Sequence, residues 1–461
     1  MLVFRVINFD RIRKLWREKP MKLKPLFGSI VLFAGLASVA SATTLQESVS
    51  TAIQTNPDVL AVVNERNAVS EEIEQARAGY RPTVDLAIGT GWEVTDNPTT
   101  RGNGQGEVHL NRDEASLNLR QMLFDGLETE NEVRRHTART DARSFSVLGA
   151  AENTALETVD AYLAVLRRQK LVDLARTNLE AHERTHDQIQ LRSERGVGRR
   201  SDMEQSSGRV ALAKSNLISE ESNLRDAETG YIRVVGIAPD ALIDPESPEG
   251  KLPADLDEAL SIAVANHPTL KSAKADVESA NAQHATANAP FFPRIDLEIG
   301  TTVNNDIDGV PDTNKDITAM IRLRYNLFNG GKDKARRQET AHLINQASEI
   351  RNNTYRQVEQ STRLSWNAMN TVNSQIEFFR KHAESSENSR DAYQQQFNLG
   401  QRTLLDLLDS ENEVFTSRQA LVNAEYDQLV AMYRVLNSMG RLTQDLDVTL
   451  PEASVASTEY E

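Results

Sequence analysis

Four short segments of the chain alternate apolar and polar side chains, which is the period of a β-strand with one apolar face. In the first segment, Val84, Leu86 and Ile88 alternate with Asp85 and Ala87. Each run has about ten residues, the length of a tilted strand that spans a membrane. The pattern predicts strands at 83–92, 115–124, 294–303 and 317–328, joined in pairs by polar loops at 93–114 and 304–316. Two soluble hairpins resting on helices would show the same alternation.

Most of the remaining chain has the pattern of unusually long helices. The segment from Leu127 to Glu194 contains no proline, and a helix of that length would extend about 100 Å. A second helix follows a turn near Gly196 and continues to about Val235. Apolar residues recur every seven positions, as in a coiled coil: Met203, Val210, Leu217, Leu224 and Tyr231, and later Leu408, Phe415, Val422, Leu429 and Leu436. An ordinary soluble helical bundle fits these helices equally well.

The sequence is a tandem duplication. Leu45–Pro57 matches Leu256–Pro268 at an offset of 211 residues, and Phe124-Asp125-Gly126 matches Phe328-Asn329-Gly330 at an offset of 204. The difference between the offsets falls in the first polar loop. We therefore expect a first structural repeat at 43–236, a proline-rich linker at 237–254, a second repeat at 255–450 and a C-terminal tail at 451–461.

The N-terminal segment 1–42 has the pattern of a secretory signal peptide. Lys22 and Lys24 precede an apolar stretch from Leu26 to Ala40, and a small-x-small cleavage site ends the segment. Met21 is an alternative true start. A membrane anchor is less favoured because a spanning helix needs about 20 apolar residues. The mature protein is therefore expected to be exported.

Composition narrows the classes of function. The 461 residues include 67 Asp and Glu against 52 Lys and Arg, for a formal net charge of −15, and no cysteine. Absence of cysteine excludes disulfides, cysteine-ligated metals and thiol catalysis. The acidic balance argues against nucleic acid as a partner, because phosphate binding needs clustered basic side chains. Hydrophobic residues make up 39% and aromatic residues 5%, which is little for one large packed core.

Strands in lipid have to close into a barrel, because every backbone group there must be paired. The smallest barrels have about eight strands, so two or three copies of a four-stranded chain would be needed. The Leu…Ala…Asn-Pro opening at 45–57, the proline before the first strand, the Phe-x-Gly after the second strand and the duplication together resemble the TolC family of outer-membrane exit ducts. The resemblance covers nearly all of residues 43–450.

This resemblance implies an α+β membrane protein: a homotrimer in outer-membrane lipid whose twelve-stranded β-barrel continues as an α-helical periplasmic tunnel of long coiled-coil helices. It also implies docking on a periplasmic adaptor and an inner-membrane ABC transporter, with no enzyme activity and no cofactor. Without a lipid-bearing cysteine, the chain looks more similar to the type I secretion branch, and we expect exported protein cargo such as an adhesin or an RTX-like protein. The alternatives are a multidrug efflux channel and, from another class, a periplasmic coiled-coil adaptor.

The stretch 397–409 resembles the periplasmic entrance of the family, where the long helix of the second repeat turns back. Asp406 and Asp409 are three residues apart and share one helix face. The resemblance implies that three copies place these residues in two carboxylate rings, which attract cations. The alternative is that both aspartates are solvated charges that stabilise a helix start.

A latch for this entrance is also implied by the resemblance. Arg402 matches the arginine that ties the entrance closed in the family, and its partners there match Ser201 and Asp202 of a neighbouring turn. An arginine–carboxylate bond is directional and breakable, which suits a latch. Phe397 stands where the family has a tyrosine, so a hydroxyl group is missing from the latch.

The two turns between the long helices are the expected contacts of the adaptor. Gly196, Val197 and Gly198 form the first turn, and Leu399 and Gly400 form the second. Their glycines allow a close approach of another backbone. Three arginines flank the first turn, either to pair with acidic residues of the adaptor or to compensate a helix dipole: Arg195, Arg199 and Arg200.

One motif would suit an enzyme. His182, Glu183 and His186 satisfy H-E-x-x-H, which on a helix can bind zinc and provide a general base. The matching positions of the second repeat hold Ser386, Glu387 and Arg390, so the duplicated scaffold does not need the histidine pair. We interpret the motif as a chance match, and a zinc protease as the least favoured function.

Overall fold

The computed structural model describes residues 43–458 and 460, so the expected signal peptide lies outside the described residues. Within them, two short helices, two strands and two long helices follow one another twice. The first series comprises α1 (Leu45–Thr55), α2 (Pro57–Arg77), β1 (Thr83–Thr95), α3 (Pro98–Gly102), β2 (Val108–Phe124), α4 (Glu128–Glu194) and α5 (Arg200–Val235). The second comprises α6 (Leu256–Asn266), α7 (Pro268–Thr286), β3 (Arg294–Ile307), β4 (Val310–Arg324), α8 (Lys332–Asn398), α9 (Leu404–Ser438) and the short α10 (Leu442–Asp445).

The four strands form one antiparallel sheet in chain order. Their register places Val84 opposite Leu119, Leu119 opposite Ile299, and Ile295 opposite Leu323. The apolar residues of the alternation share one face and are exposed in the protomer: Val84, Leu86, Ile88, Trp92, Leu117, Ile299, Ile317, Ile321 and Leu323. Within the described protomer, β1 and β4 each pair along one side only. The sheet therefore has an exposed apolar face and two free edges.

The first β-hairpin is longer than its alternation predicted. β1 continues to Thr95 and β2 begins at Val108, so the prediction of a loop over 93–114 was wrong at both ends. The ladder continues where both faces are polar, because backbone pairing does not depend on apolar side chains. Between the strands lies α3, whose start is capped by the side chain of Asn97 and fixed by Pro98.

The second β-hairpin departs from the prediction in the same way. Its strands meet at Asp308 and Gly309, both in the left-handed region, so almost all of the expected loop 304–316 is strand. At the other end, β4 stops at Arg324 instead of continuing to 328. The prediction extended the strand because apolar residues follow Arg324, but these residues are not part of the strand.

Both β-hairpins share one register. The offsets of 211 for the first strand and 204 for the second carry the pair Val84–Leu119 onto the pair Ile295–Leu323. The insertion that separates the two offsets lies beyond the paired residues, in the connection that contains α3. The two halves of the sheet are therefore geometrically equivalent.

Charged side chains occupy the polar face of the sheet near its helical end. Arg324 donates to Asp296 at 2.7 Å and also to Glu298, and Arg322 donates to Glu298 at 2.8 Å. Arg120 of β2 lies 3.6 Å from Glu298. One face of the sheet is thus apolar while the other carries a cross-strand ion-pair ladder.

The two longest helices have 67 residues each and extend about 100 Å. α4 begins at Glu128, one residue after the expected Leu127, because Leu127 has a φ of 68°. The carboxylate of Asp125 accepts hydrogen bonds from the first two backbone N–H groups of α4 at 3.1 and 2.9 Å, which satisfies donors that a helix start leaves free. Gly126 lies against the second repeat, and a Cβ there would be 2.6 Å from a carbonyl oxygen.

The main apolar core lies where the short helices of both repeats pack against the long ones. Its fully buried members include Val49, Ile53, Val159, Tyr162, Leu163, Tyr231, Val235, Leu436 and Met439. The hydroxyl of Tyr162 donates to the carbonyl oxygen of Ile243 at 2.7 Å, which ties the segment 237–254 to this core. Burial raises the pKa of Tyr162 to about 12, so this donor stays protonated at any physiological pH.

The C-terminal tail is packed against α4 through one buried carboxylate. Asp141 accepts hydrogen bonds from the backbone N–H of Ser457 at 2.7 Å, from its hydroxyl at 2.8 Å, and from the hydroxyl of Tyr460 at 2.8 Å. The ring of Tyr460 also meets Phe145 edge to face, with centroids 6.2 Å apart. The tail is therefore part of the folded unit.

Among the described residues, no helix combines the length and the apolar character needed to cross a membrane.

We predict that Asp141→Ala releases the tail. The substitution removes the buried carboxylate that accepts three hydrogen bonds from Ser457 and Tyr460, which should lower the free energy of unfolding by about 1–3 kcal/mol. Tyr460→Phe removes a single bond and should cost less. Limited proteolysis and thermal unfolding of both variants check the expectation, and a tail that stays protease-resistant in Asp141→Ala would contradict it.

Candidate functional site at the helical turns

Two turns connect the long helices, one between α4 and α5 (the first helical hairpin) and one between α8 and α9 (the second helical hairpin). Gly196 and Gly400 occupy equivalent left-handed positions, each with a φ of 74°. In the first turn the N–H of Val197 donates to the carbonyl of Arg192 at 3.0 Å, and in the second the N–H of Gln401 donates to the carbonyl of residue 396 at 2.9 Å. Both α-helices thus end in the same glycine-dependent motif.

The residues expected to contact an adaptor lie at these turns. Val197 and Leu399 are 78% and 74% exposed, so each turn presents one apolar side chain to solvent. Gly198 is fixed by packing, because a Cβ there would lie 2.7 Å from the backbone nitrogen of Ser193. Each turn therefore presents an exposed apolar side chain in the protomer, and close packing at Gly198 holds the backbone of the first turn.

A small apolar cluster joins the two helical hairpins beside these turns. It consists of Ile189 from the first hairpin and Phe397, Leu404, Leu407 and Leu408 from the second, with Met203 packed against it. The guanidinium of Arg192 lies 5.0 Å from the centre of the Phe397 ring, which adds a cation–π contact. In the protomer, Phe397 acts as a packing residue at the junction of the hairpins.

Asp406 is tied into the start of α9. The N–H of Asp406 donates to the hydroxyl oxygen of Thr403 at 3.3 Å, and that hydroxyl donates to the Asp406 carboxylate at 2.8 Å. The bonds that the Thr403 hydroxyl and the Thr403 backbone N–H donate to the carboxylate, together with the Arg402 guanidinium 3.8 Å away, hold the pKa of Asp406 below its usual range. The carboxylate is therefore ionised and fixed in direction.

Asp409 has a partner that the sequence did not reveal. Its carboxylate accepts a hydrogen bond at 2.6 Å from Arg209, a residue of α5 in the other helical hairpin. Both aspartates line a groove of about 380 Å³ together with six other residues: Ser385, Ser386, Ser389, Tyr393, Ser410 and Glu413. The structure thus brings Asp406 and Asp409 to one groove and gives them different partners.

Arg402 makes its contacts within the second helical hairpin of the described protomer. Its Nε donates to Gln396 at 2.9 Å, and its guanidinium lies 4.2 Å from the centre of the Tyr393 ring. Ser201 donates to the neighbouring Asp202 at 3.3 Å. The expected bond from Arg402 to Ser201 and Asp202 would therefore have to join two copies of the chain.

The H-E-x-x-H residues point to different environments. His182 is buried, and burial together with the charge of Arg209 lowers its pKa. Glu183 pairs with Lys214 at 3.1 Å, and His186 lies 2.9 Å from the hydroxyl of Ser206. Among residues 43–458 and 460, no group of three or more His, Cys, Asp or Glu is placed to hold a metal ion. The three residues are part of the packing between α4 and α5.

Comparisons with known proteins agree on one family. The model of the family described as outer membrane efflux protein matches residues 48–236 and 259–441. The outer membrane efflux protein BepC of Brucella suis is 27% identical, over 81% of this chain and 80% of BepC. The alkaline protease secretion protein AprF of Pseudomonas aeruginosa is 25% identical, over 94% and 91%. The CmeC outer membrane channel of Campylobacter jejuni has the same fold, with a TM-score of 0.74 at 13% identity over 92% of this chain and 94% of CmeC.

We predict that Thr403→Ala loosens the first turn of α9. Loss of the cap should cost about 1 kcal/mol locally and accelerate amide hydrogen exchange there about fivefold. Thr403→Ser should retain the slow exchange. The start of α5 has no side-chain cap and serves as an internal control. Unchanged exchange at the start of α9 in Thr403→Ala would show that the cap does not hold this turn.

Proposed function

The chain belongs to the outer membrane efflux protein family, and we propose that it serves as the outer-membrane exit duct of a tripartite type I protein secretion system. Family membership makes it an outer-membrane channel protein that extends into the periplasm, which confirms the family predicted from the sequence. It also makes the protein a channel rather than an enzyme, so the zinc protease is excluded. The periplasmic adaptor, the alternative from another class, is excluded for the same reason.

The sheet is the observation that carries the proposal of a trimeric duct. Its apolar face suits lipid, but the free edges of β1 and β4 would leave a row of unpaired backbone groups there. Pairing each β4 with β1 of another copy removes every edge. Three copies of this sheet give the twelve-stranded barrel that the resemblance implies.

The equivalence of the two β-hairpins supplies the register of this closure. Within one copy, Leu119 of the first β-hairpin lies opposite Ile299 of the second. Leu119 corresponds to Leu323 at the offset of 204 residues, and Ile299 corresponds to Ile88 at the offset of 211 residues. Leu323 of one copy is therefore proposed to lie opposite Ile88 of the next. This register keeps both apolar side chains on the lipid face.

The long helices also present faces that a second copy would cover. On α8, Ile350, Leu364 and Phe378 are exposed and recur every fourteen residues, and on α5 Ile218 and Ile232 do the same. Such heptad-spaced apolar positions are typical of helices that pack as coiled coils. We propose that these faces pair between protomers to form the wall of a periplasmic tunnel.

Relatives of both functional branches are similar to this chain. AprF is named for the secretion of a protease and matches nearly the whole chain, whereas BepC is named for efflux. This sequence contains no cysteine, and a lipid-bearing cysteine is what the multidrug branch of the resemblance implies. These two observations favour protein as the cargo, with an inner-membrane ABC transporter as the energy source; multidrug efflux is the alternative.

The turns are proposed to form the entrance. Exposed Val197 and Leu399 fit docking by an adaptor, because each is an apolar side chain at a turn and is open to solvent in the protomer. Asp406 and Asp409 would face the passage as carboxylates, and Arg402 would tie neighbouring copies together at rest. An adaptor that binds the turns can then compete with this tie.

Deletion of the gene tests the cargo class. We expect one or more large proteins to disappear from the culture medium while drug sensitivity changes less than about twofold, since only the secretion route is lost. Complementation with the double variant Val197→Asp and Leu399→Asp should fail to restore secretion although trimers form, and wild type should restore it. An unchanged secreted proteome with a strong gain in drug sensitivity would instead establish the efflux alternative.

A further inference from the structure

One ion pair joins the two helical hairpins near their turns. The guanidinium of Arg209 in α5 donates to the carboxylate of Asp409 in α9 at 2.6 Å. The side chains of Arg209 and Asp409 are 27% and 58% exposed, so the guanidinium is partly withdrawn from water while the carboxylate stays accessible. A charge-assisted bond is stronger than a neutral one, and the partial burial of the guanidinium reduces its screening by solvent.

Neighbouring ion pairs at this end stay within a single helical hairpin. Lys214 pairs with Glu183 in the first, and Arg418 with Glu387 and Arg390 with Glu411 in the second. In the described part of the chain, another pair between the hairpins is that of Arg167 with Asp427, eighteen residues or about 27 Å further along α9. The bond from Arg209 to Asp409 therefore joins the hairpins at the entrance, together with the apolar cluster and the contact of Arg192 with the Phe397 ring.

The duplication shows that this pair is specific to its place. At the offset of 204 residues, Glu413 occupies the position equivalent to Arg209, and Gln205 occupies the position equivalent to Asp409. Glu413 instead contacts His382 of its own hairpin at 2.9 Å. The repeated scaffold thus does not generate the pair, and the two repeats carry opposite charges at the same position.

We propose that Arg209 is a positioning residue of the entrance that ties the first helical hairpin to the second and neutralises Asp409 at rest. The inference rests on the proposed function and deepens it. Asp406 then provides the ionised carboxylate that cations meet in the resting entrance, because its partners leave it charged and facing the groove. Separation of the hairpins breaks the pair and exposes the charge of Asp409, so opening also makes the entrance more acidic.

Two variants distinguish the effect of the Arg209–Asp409 ion pair from the effect of the Asp409 charge. Arg209→Gln removes the positive charge and unmasks Asp409, whereas Asp409→Asn removes the negative charge; both variants lose the charge-assisted ion pair. Lys214→Ala is the control, since it deletes an ion pair of the same helix, α5, that stays within one hairpin. Purified trimers of each are studied in planar lipid bilayers, with resting conductance and block by lanthanum as readouts and trimer content as the check of assembly.

Resting conductance should rise in Arg209→Gln and in Asp409→Asn and stay at the wild-type value in Lys214→Ala. The concentration of lanthanum for half-block should fall about threefold or more in Arg209→Gln, because three unmasked carboxylates concentrate cations. It should rise in Asp409→Asn. Wild-type conductance and block in Arg209→Gln would overturn the inference while leaving the proposed function intact. A wild-type protein that forms no channel would overturn both.

Discussion

The pairing of backbone groups in lipid is the constraint on which the rest of the structure depends. The sheet offers an apolar face and two free edges, and edges cannot remain free in a hydrocarbon layer. Closure with further copies satisfies the edges, sets the number of strands and places the ion-pair ladder around Glu298 on the inside. The long helices that continue from the strands are then arranged in a ring below the barrel. A tunnel below the barrel is the direct consequence.

This architecture also explains the thin cores. Helices of 67 residues that face a passage on one side and solvent on the other can bury only narrow seams. The larger core sits where the short helices brace the long ones, and a small cluster around Phe397 closes the far end. Because so few contacts hold the hairpins together at that end, a single ion pair such as that of Arg209 with Asp409 can influence their separation.

Local periodicity predicted the helices and strands well. It missed the strand ends and the side-chain contacts that depend on residues distant in the sequence. The period of two gave the positions of the strands, and the absence of proline gave the start of α4 to within one residue. The strand ends were wrong because ladders continue through polar residues. Asp141 and Arg209 each find partners about 200 or more residues away, a distance over which no local pattern operates. The duplication held one signal of the Arg209 pair. At the offset of 204 residues the basic Arg209 corresponds to the acidic Glu413, so the charge at this position differs between the repeats.

The most direct test of the account uses the absence of cysteine in the natural chain. Cysteines at Ile88 and Leu323, introduced together, should form disulfides between copies under mild oxidation, because the closed register places these residues opposite each other. Non-reducing electrophoresis of outer membranes should then show a covalent trimer. The pair Ile88 and Ala319, four residues out of register, should remain unlinked. A monomer for the first pair, or equal crosslinking of both pairs, would contradict the closed twelve-stranded barrel.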